Sequence, residues 1–287
     1  MAQSTRRSLS VAVVGAGNLG GALAIALPAA GFSVTALVTR APKPGPSRAR
    51  SLARKLKAKI VALGDPFDAD LVWIAVPDDA IAQTAVRLAR SQEWRERFVF
   101  HSSGALTSEK LASLRDRGAR VASVHPLMTF VRSALPEMAG VPFTAEGDPA
   151  AVRLARAIIE RLGGEFFPLR RENKALYHAF GSFTSPLLIA LLVSAEQVGL
   201  AAGIAAKDLK PLMVPILWQT LYNYLKKDAA SAFSGPLIRG DVETVRKHLR
   251  ELRRLPEVRQ VYKALATAAL RYLPSKNRRK LLQELHA

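Results

Sequence analysis

The 287-residue chain contains no cysteine. That one absence excludes disulfides, thiolate catalysis and Cys-ligated zinc or iron–sulfur sites. Acidic residues are scarce, 23 Asp and Glu against 42 Lys and Arg, for a formal net charge of +19. The five histidines are scattered without a carboxylate cluster, so no metal site is expected. Helix-turn-helix spacing, zinc patterns and aromatic-rich basic strands are all missing, so the excess charge points to small anionic partners and not to a specific nucleic acid. An uninterrupted membrane-length apolar run is also missing. The longest apolar stretch, 186–206, is broken by Glu196 and Gln197, which fits a buried helix at a domain or subunit interface better than a membrane span. Arg6 and Arg7 precede an apolar run, but Val11–Val14 stops at a glycine-rich turn and reads as a first strand, not a secretory leader. A cytoplasmic protein without membrane partners is the expectation.

What is present is enough hydrophobic sequence, 49%, to bury a sizeable core. Short apolar runs alternate with helical periodicity through the first half. Strands are expected at 10–15, 33–38, 59–63, 71–76, 98–101 and 120–125, with helices at 19–30, 47–58, 79–90 and 107–117 between them. That order is the signature of an α/β fold, a doubly wound parallel sheet of the Rossmann type. One more strand-helix-strand unit follows at 141–146, 150–162 and 165–169. From Arg171 onward only helical periodicity remains, at 172–205, 207–227, 241–254, 256–273 and 275–286. The expected organisation is a Rossmann domain over 1–170 and a smaller all-helical domain over 171–287.

The first strand closes on Gly15-Ala16-Gly17-Asn18-Leu19-Gly20. Between a β-branched strand and an apolar helix, this spacing fits a dinucleotide pyrophosphate: the first glycine makes the turn, the second admits the phosphate and the third allows close helix packing. The helix N-terminus then offers free N–H groups to the anion. NAD-binding domains place an acid at the end of the next strand, whereas this chain has Thr39-Arg40, followed by Lys43, Arg48 and Arg50. A hydroxyl and a guanidinium suit a 2′-phosphate, so NADP is the expected cofactor. Val76-Pro77 ends another strand and is expected along the ribose or nicotinamide path, with Asp78 or Asp79 capping the helix that follows.

Candidates for the chemistry sit at later strand ends. His101-Ser102-Ser103-Gly104 could hold a substrate carboxylate or serve as a helix-leading turn. His125-Pro126 offers an imidazole for proton transfer, or a structural histidine bonded to a carbonyl. Lys174 and His178 share a helix face four residues apart, with Tyr177 between them. Gly235–Asp241 reads as a compact turn, with Asp241 capping the next helix and Arg239 either pairing with it or anchoring an anion.

In order along the chain, Gly15–Gly20, Ala75-Val76-Pro77, His101–Ala105, His125-Pro126-Leu127, Lys174–Ala179 and Gly235–Asp241 resemble the Rossmann-like proteins with a C-terminal helical domain of unknown function. These are relatives of ketopantoate reductase, pyrroline-5-carboxylate reductase and the β-hydroxyacid dehydrogenases. The resemblance implies an NADP-dependent oxidoreductase with a cleft between domains and a homodimer built through the helical half. It also implies a proton-transferring lysine at Lys174. The asparagine that the dehydrogenases carry further along that helix has no counterpart near Ser185-Pro186. The expected reaction is hydride transfer to or from a small anionic carbonyl, imine or hydroxy compound. Lys174 or His125 would be the proton donor, and Ser103 and His178 would shape the pocket. The alternative is a protein that binds NADP without catalysis, as a sensor or interaction partner.

Overall fold

The apolar run Ser10–Val14 forms β1, and all five of its residues are buried. Alternation along it splits the core between two faces. Val11 and Val13 join one cluster with Leu23, Leu27 and Ile158, while Ala12 and Val14 join another with Ile81 and Leu88. Each fully buried Leu or Ile contributes about 1.5–3 kcal/mol, so a strand covered on both faces is a strong nucleus for the sheet.

The computed structural model describes residues 8–40, 47–130 and 137–287. By contacts these fall into two compact units, one through Ser182 and one from Phe183. In the first unit β2 (Ser33–Thr39), β3 (Lys59–Ala62), β4 (Leu71–Ile74), β5 (Phe98–His101), β6 (Arg120–Pro126), β7 (Pro142–Gly147) and β8 (Glu165–Pro168) complete one sheet, in the order β3-β2-β1-β4-β5-β6-β7-β8. Helices α1 (Asn18–Ala29), α2 (Arg48–Leu56) and α3 (Asp78–Ala89) make the first crossovers. A 3₁₀ turn (Ser108–Leu111) running into α4 (Ala112–Arg115) makes the next, and α5 (Pro149–Arg161) joins β7 to β8.

The sheet is parallel except that β7 runs antiparallel to β6, which modifies the all-parallel expectation. The described residues between these two strands contain no helix. β7 enters at the same end of the sheet where β6 leaves it, and so runs the opposite way.

Helix α6 (Lys174–Thr184) begins in the first unit. The second unit continues with α7 (Pro186–Ala201), α8 (Ala206–Lys226), α9 (Ala229–Ala232), α10 (Pro236–Arg239), α11 (Val242–Glu251), α12 (Pro256–Tyr272) and α13 (Arg278–His286). The single helix expected over 172–205 is broken at Ser185, which adopts φ −131°, ψ −80°. The cause is Pro186, which lacks an N–H and disfavours helical backbone in the residue before it. The turn over Gly235–Asp241 encloses the short α10, and the Asp241 carboxylate accepts the Thr244 N–H at 3.0 Å as the expected cap. Val245, Leu249, Leu270, Leu281 and Leu285 form this unit's core. By length and composition the stretch Arg171–Ala201 could cross a membrane. Its apolar side chains, expected to be buried, are largely exposed in the single chain, Phe183 and Ile189 among them.

Candidate cofactor cavity and active site

The glycine loop is locked into the sheet before any ligand is considered. Gly15 N–H donates to Val38 O at 2.9 Å, and Ala75 N–H donates to Val14 O at 2.8 Å. Gly15 sits at φ +95°, and a Cβ there would stand 2.6 Å from Ala75 O. A Cβ on Gly20 would fall on the Gly15 carbonyl. Gly17 differs, because a Cβ there would meet only open space. It is also the N-cap of α1, with no side-chain cap and no acid in the first turn, so the helix presents its free N–H groups outward.

Beside this loop is a cavity of about 440 Å³ at the carboxyl ends of β1, β2 and β4. Gly15, Ala16 and Gly17 line it with Thr39, Arg40, Val76 and Pro77, so most of the expected cofactor residues converge on one space. Among the described residues Thr39 Oγ1 is buried and has no hydrogen-bond partner, a donor that an anionic group bound beside it would satisfy. Asn18 does not line the cavity. Its amide donates to Phe130 O at 2.9 Å and accepts from Arg48 at 3.3 Å, while Leu19 packs against the core. Arg48 therefore lies over α1, away from the space it was expected to serve, and Lys43 is outside the described residues.

The second cluster forms where β5 and β6 end near the start of α6. His125 Nδ1 lies 2.8 Å from the Tyr177 hydroxyl, with the two rings edge to face. Gly104 fits tightly between histidines: a Cβ on it would be 2.8 Å from His178 Cδ2 and 2.9 Å from His125 Nε2. Lys174 is 1% exposed. Among the described residues no hydrogen bond or ion pair is made by its amine, and burial lowers its pKa to about 8, partly countered by Glu146 and Asp78. Burial likewise lowers His125 to about 4, with Lys174 and His178 adding to the effect. The arrangement thus combines a neutral imidazole, a phenol and an amine that can change protonation near neutral pH.

The loop after β5 is committed to structure. His101 Nδ1 accepts the Ser103 N–H at 3.1 Å, so its Nε2 carries the proton and donates to Thr107 O at 3.0 Å. Ser102 Oγ accepts from the Trp73 indole at 2.8 Å. Ser103, expected to shape the substrate pocket, is 4% exposed and its hydroxyl is fully used: it donates to Asp78 and accepts from the Ala105 and Leu106 N–H groups. Neither Asp78 nor Asp79 caps α3 through its side chain; Pro77 is the N-cap, and Asp78 serves Ser103 instead. Sequence reasoning missed two things here. It noticed Tyr177 but gave it no role, because nothing in spacing ties it to a histidine 52 residues earlier. Glu146 went unremarked although it is 5% exposed and binds Ser108 through both N–H and Oγ; a lone acid inside an apolar strand run was the available signal.

Residues 2–126 match the Rossmann-like domain family, and residues 141–269 match the domain of unknown function DUF2520. A search of curated protein sequences finds no match. Among solved structures, protein TM1727 from Thermotoga maritima superposes with a TM-score of 0.72 at 24% identity, covering 96% of this chain and 99% of that one. A Bacteroides fragilis protein provisionally assigned as an NADP oxidoreductase, BF3122, gives 0.72 at 21% identity, covering 91% and 97%. An imine reductase from Myxococcus stipitatus in complex with NADP+ gives 0.62 at 19% identity, covering 90% and 91%. At such identities the likeness establishes the fold. The two matches, a Rossmann-like domain and then DUF2520, fall in the order of the pairing that the chain's motifs resemble.

Proposed function

We propose that the chain is an NADP-dependent reductase or dehydrogenase acting on a small anionic carbonyl, imine or hydroxy compound. The observation that carries this reading is a buried lysine, Lys174, whose amine makes no hydrogen bond among the described residues, grouped with a neutral histidine in the same unit as the dinucleotide cavity. The Myxococcus enzyme of similar fold, captured with NADP+, supports it.

Gly15, Gly17 and the N-terminus of α1 would hold the pyrophosphate, with Gly20 packed against the Gly15 carbonyl beneath them; Thr39 and Arg40 would hold the 2′-phosphate, and Val76 and Pro77 would flank the path toward the nicotinamide. The bound cofactor supplies or accepts the hydride. Lys174 moves the proton, because a pKa of about 8 lets it give one up in reduction and take one in oxidation. His125 remains neutral and oriented by Tyr177, so it serves as a hydrogen-bonding group to substrate rather than as a cationic acid. His178, exposed beside Gly104, borders the same space. Ser103 acts indirectly, by holding Asp78 and the Gly104 loop in place.

The test is a panel of carbonyls, imines and hydroxy acids followed through cofactor absorbance, with Lys174→Ala and His125→Ala variants. Loss of Lys174 should lower kcat by roughly 10²–10⁴-fold with cofactor affinity retained. Full turnover in both variants would sink the proposal. The missing asparagine near Ser185-Pro186 favours the second reading, cofactor binding without catalysis, which expects cofactor binding and no oxidation anywhere on the panel. We also propose that the functional boundary lies near residue 170, that 171–287 contributes substrate contacts and a homodimer interface, and that the protein works in the cytoplasm.

A further inference from the structure

We infer that Arg87, on α3, is the second cation of a subsite for the 2′-phosphate of an adenine dinucleotide, opposite Thr39 and Arg40. This inference rests on the cofactor reading above and adds a residue that the basic segment after β2 does not contain.

Helix α3 divides its residues by face. Ile81, Ala85 and Leu88 pack into the core, whereas Ala80, Gln83, Thr84 and Arg87 line the cavity at helical spacing. Arg87 extends across the cavity end, where its guanidinium donates to Leu63 O at 3.1 Å, just past β3. That single bond fixes the group and leaves most of its five N–H donors uncommitted. Among the described residues neither Arg40 nor Arg87 pairs with a carboxylate, and both line this cavity. Thr39, whose Oγ1 is buried and without a partner among the described residues, lines the same cavity. The one carboxylate of the lining, Asp79, lies about two helical turns from Arg87, toward the Pro77 end. Two guanidiniums without ion pairs and an unpartnered hydroxyl match a dianionic phosphate monoester, for which bidentate arginine donors are the strongest recognition element. As a cation in the last turn of α3, Arg87 also complements the helix dipole, but that role needs neither the Leu63 anchor nor a place in the cavity wall.

The experiment is calorimetric titration of the full-length protein with adenosine 2′,5′-bisphosphate and with AMP, which differ only in the 2′-phosphate. Wild type should bind the bisphosphate at least about tenfold more tightly, roughly 1.4 kcal/mol. Arg87→Gln should erase most of that preference while AMP affinity stays within about twofold, and Arg87→Lys should retain part of it. Arg48→Gln, over α1 and outside the cavity lining, should keep the full preference. If Arg87→Gln keeps the wild-type preference while Arg40→Gln loses it, the inference about Arg87 fails and the cofactor reading stands. If wild type binds neither ligand, or both equally, the cofactor reading fails and takes this inference with it.

Discussion

His101 and Lys174 are both buried ionisable groups, and they respond to pH in the same direction but in separate windows. His101 is fully buried and its pKa falls to about 4, burial being the main cause, opposed by its bond to Thr107. The unfolded chain holds that proton more tightly, so the neutral imidazole's contribution is complete above pH 6.5 and disappears as pH drops toward 4. For His101 alone this amounts to about 3 kcal/mol, and His125 shifts the same way. Lys174 is lowered from 10.5 to about 8, so raising pH through that interval favours the fold, while below 8 its buried charge is a constant cost. Histidine NMR titration should leave His101 and His125 uncharged at pH 5.5, and chemical denaturation should show stability falling between pH 6.5 and 4. Either histidine titrating near 6.5 would contradict the burial argument. The direction of these shifts was not legible in the sequence, since a strand-end histidine reads the same whether its ring is enclosed or open.

At the level of elements, the strand–glycine–helix unit separates two roles that the motif spells identically. Gly20→Ala would drive a methyl into the Gly15 carbonyl and should cost at least about 1–3 kcal/mol of stability. Gly17→Ala meets nothing in the protein, so it should melt close to wild type yet bind dinucleotide at least about tenfold more weakly, because its methyl occupies the phosphate's approach. Melting curves with and without cofactor distinguish the two variants; a Gly17→Ala protein that binds normally would argue against the pyrophosphate position. Elements were the most legible part of the chain. Strand runs such as Phe98–His101 and helices such as Pro256–Tyr272 follow directly from period-two and 3.6-residue patterns. The misses have physical causes. The break at Ser185 needed weight on Pro186 against a long apolar run, and the antiparallel β7 depends on the length and character of a loop. The cavity face of α3 carries polar residues that look like any solvated face until β3 is placed beside it. Ser103 illustrates the same limit at a candidate site, because a hydroxyl's availability depends on three partners drawn from two segments.

For the whole molecule the open question is what covers the apolar surface of the helical unit. Ile216, Trp218, Tyr224 and Leu225 on α8 are each more than 60% exposed, and Phe183 at the end of α6 is 70% exposed. A surface this apolar is unusual for a monomer, and a second copy of the chain is the occupant proposed above. Obligate interfaces commonly bury more than about 2,000 Å² and are as apolar as a domain core, which suits side chains of this kind. Light scattering at micromolar concentration should therefore give twice the 31.1 kDa chain mass. Ile216→Glu combined with Trp218→Glu should give monomer, since burying two carboxylates without partners opposes association. Charge supplies an independent check. Two subunits of formal charge +19 repel one another, so an apolar dimer should tighten as salt rises from about 50 to 500 mM and screens that repulsion. Contacts held mainly by ion pairs would weaken over the same range. A wild-type protein that remains monomeric throughout the titration would remove the dimer from the proposal and leave the exposed helices for another partner.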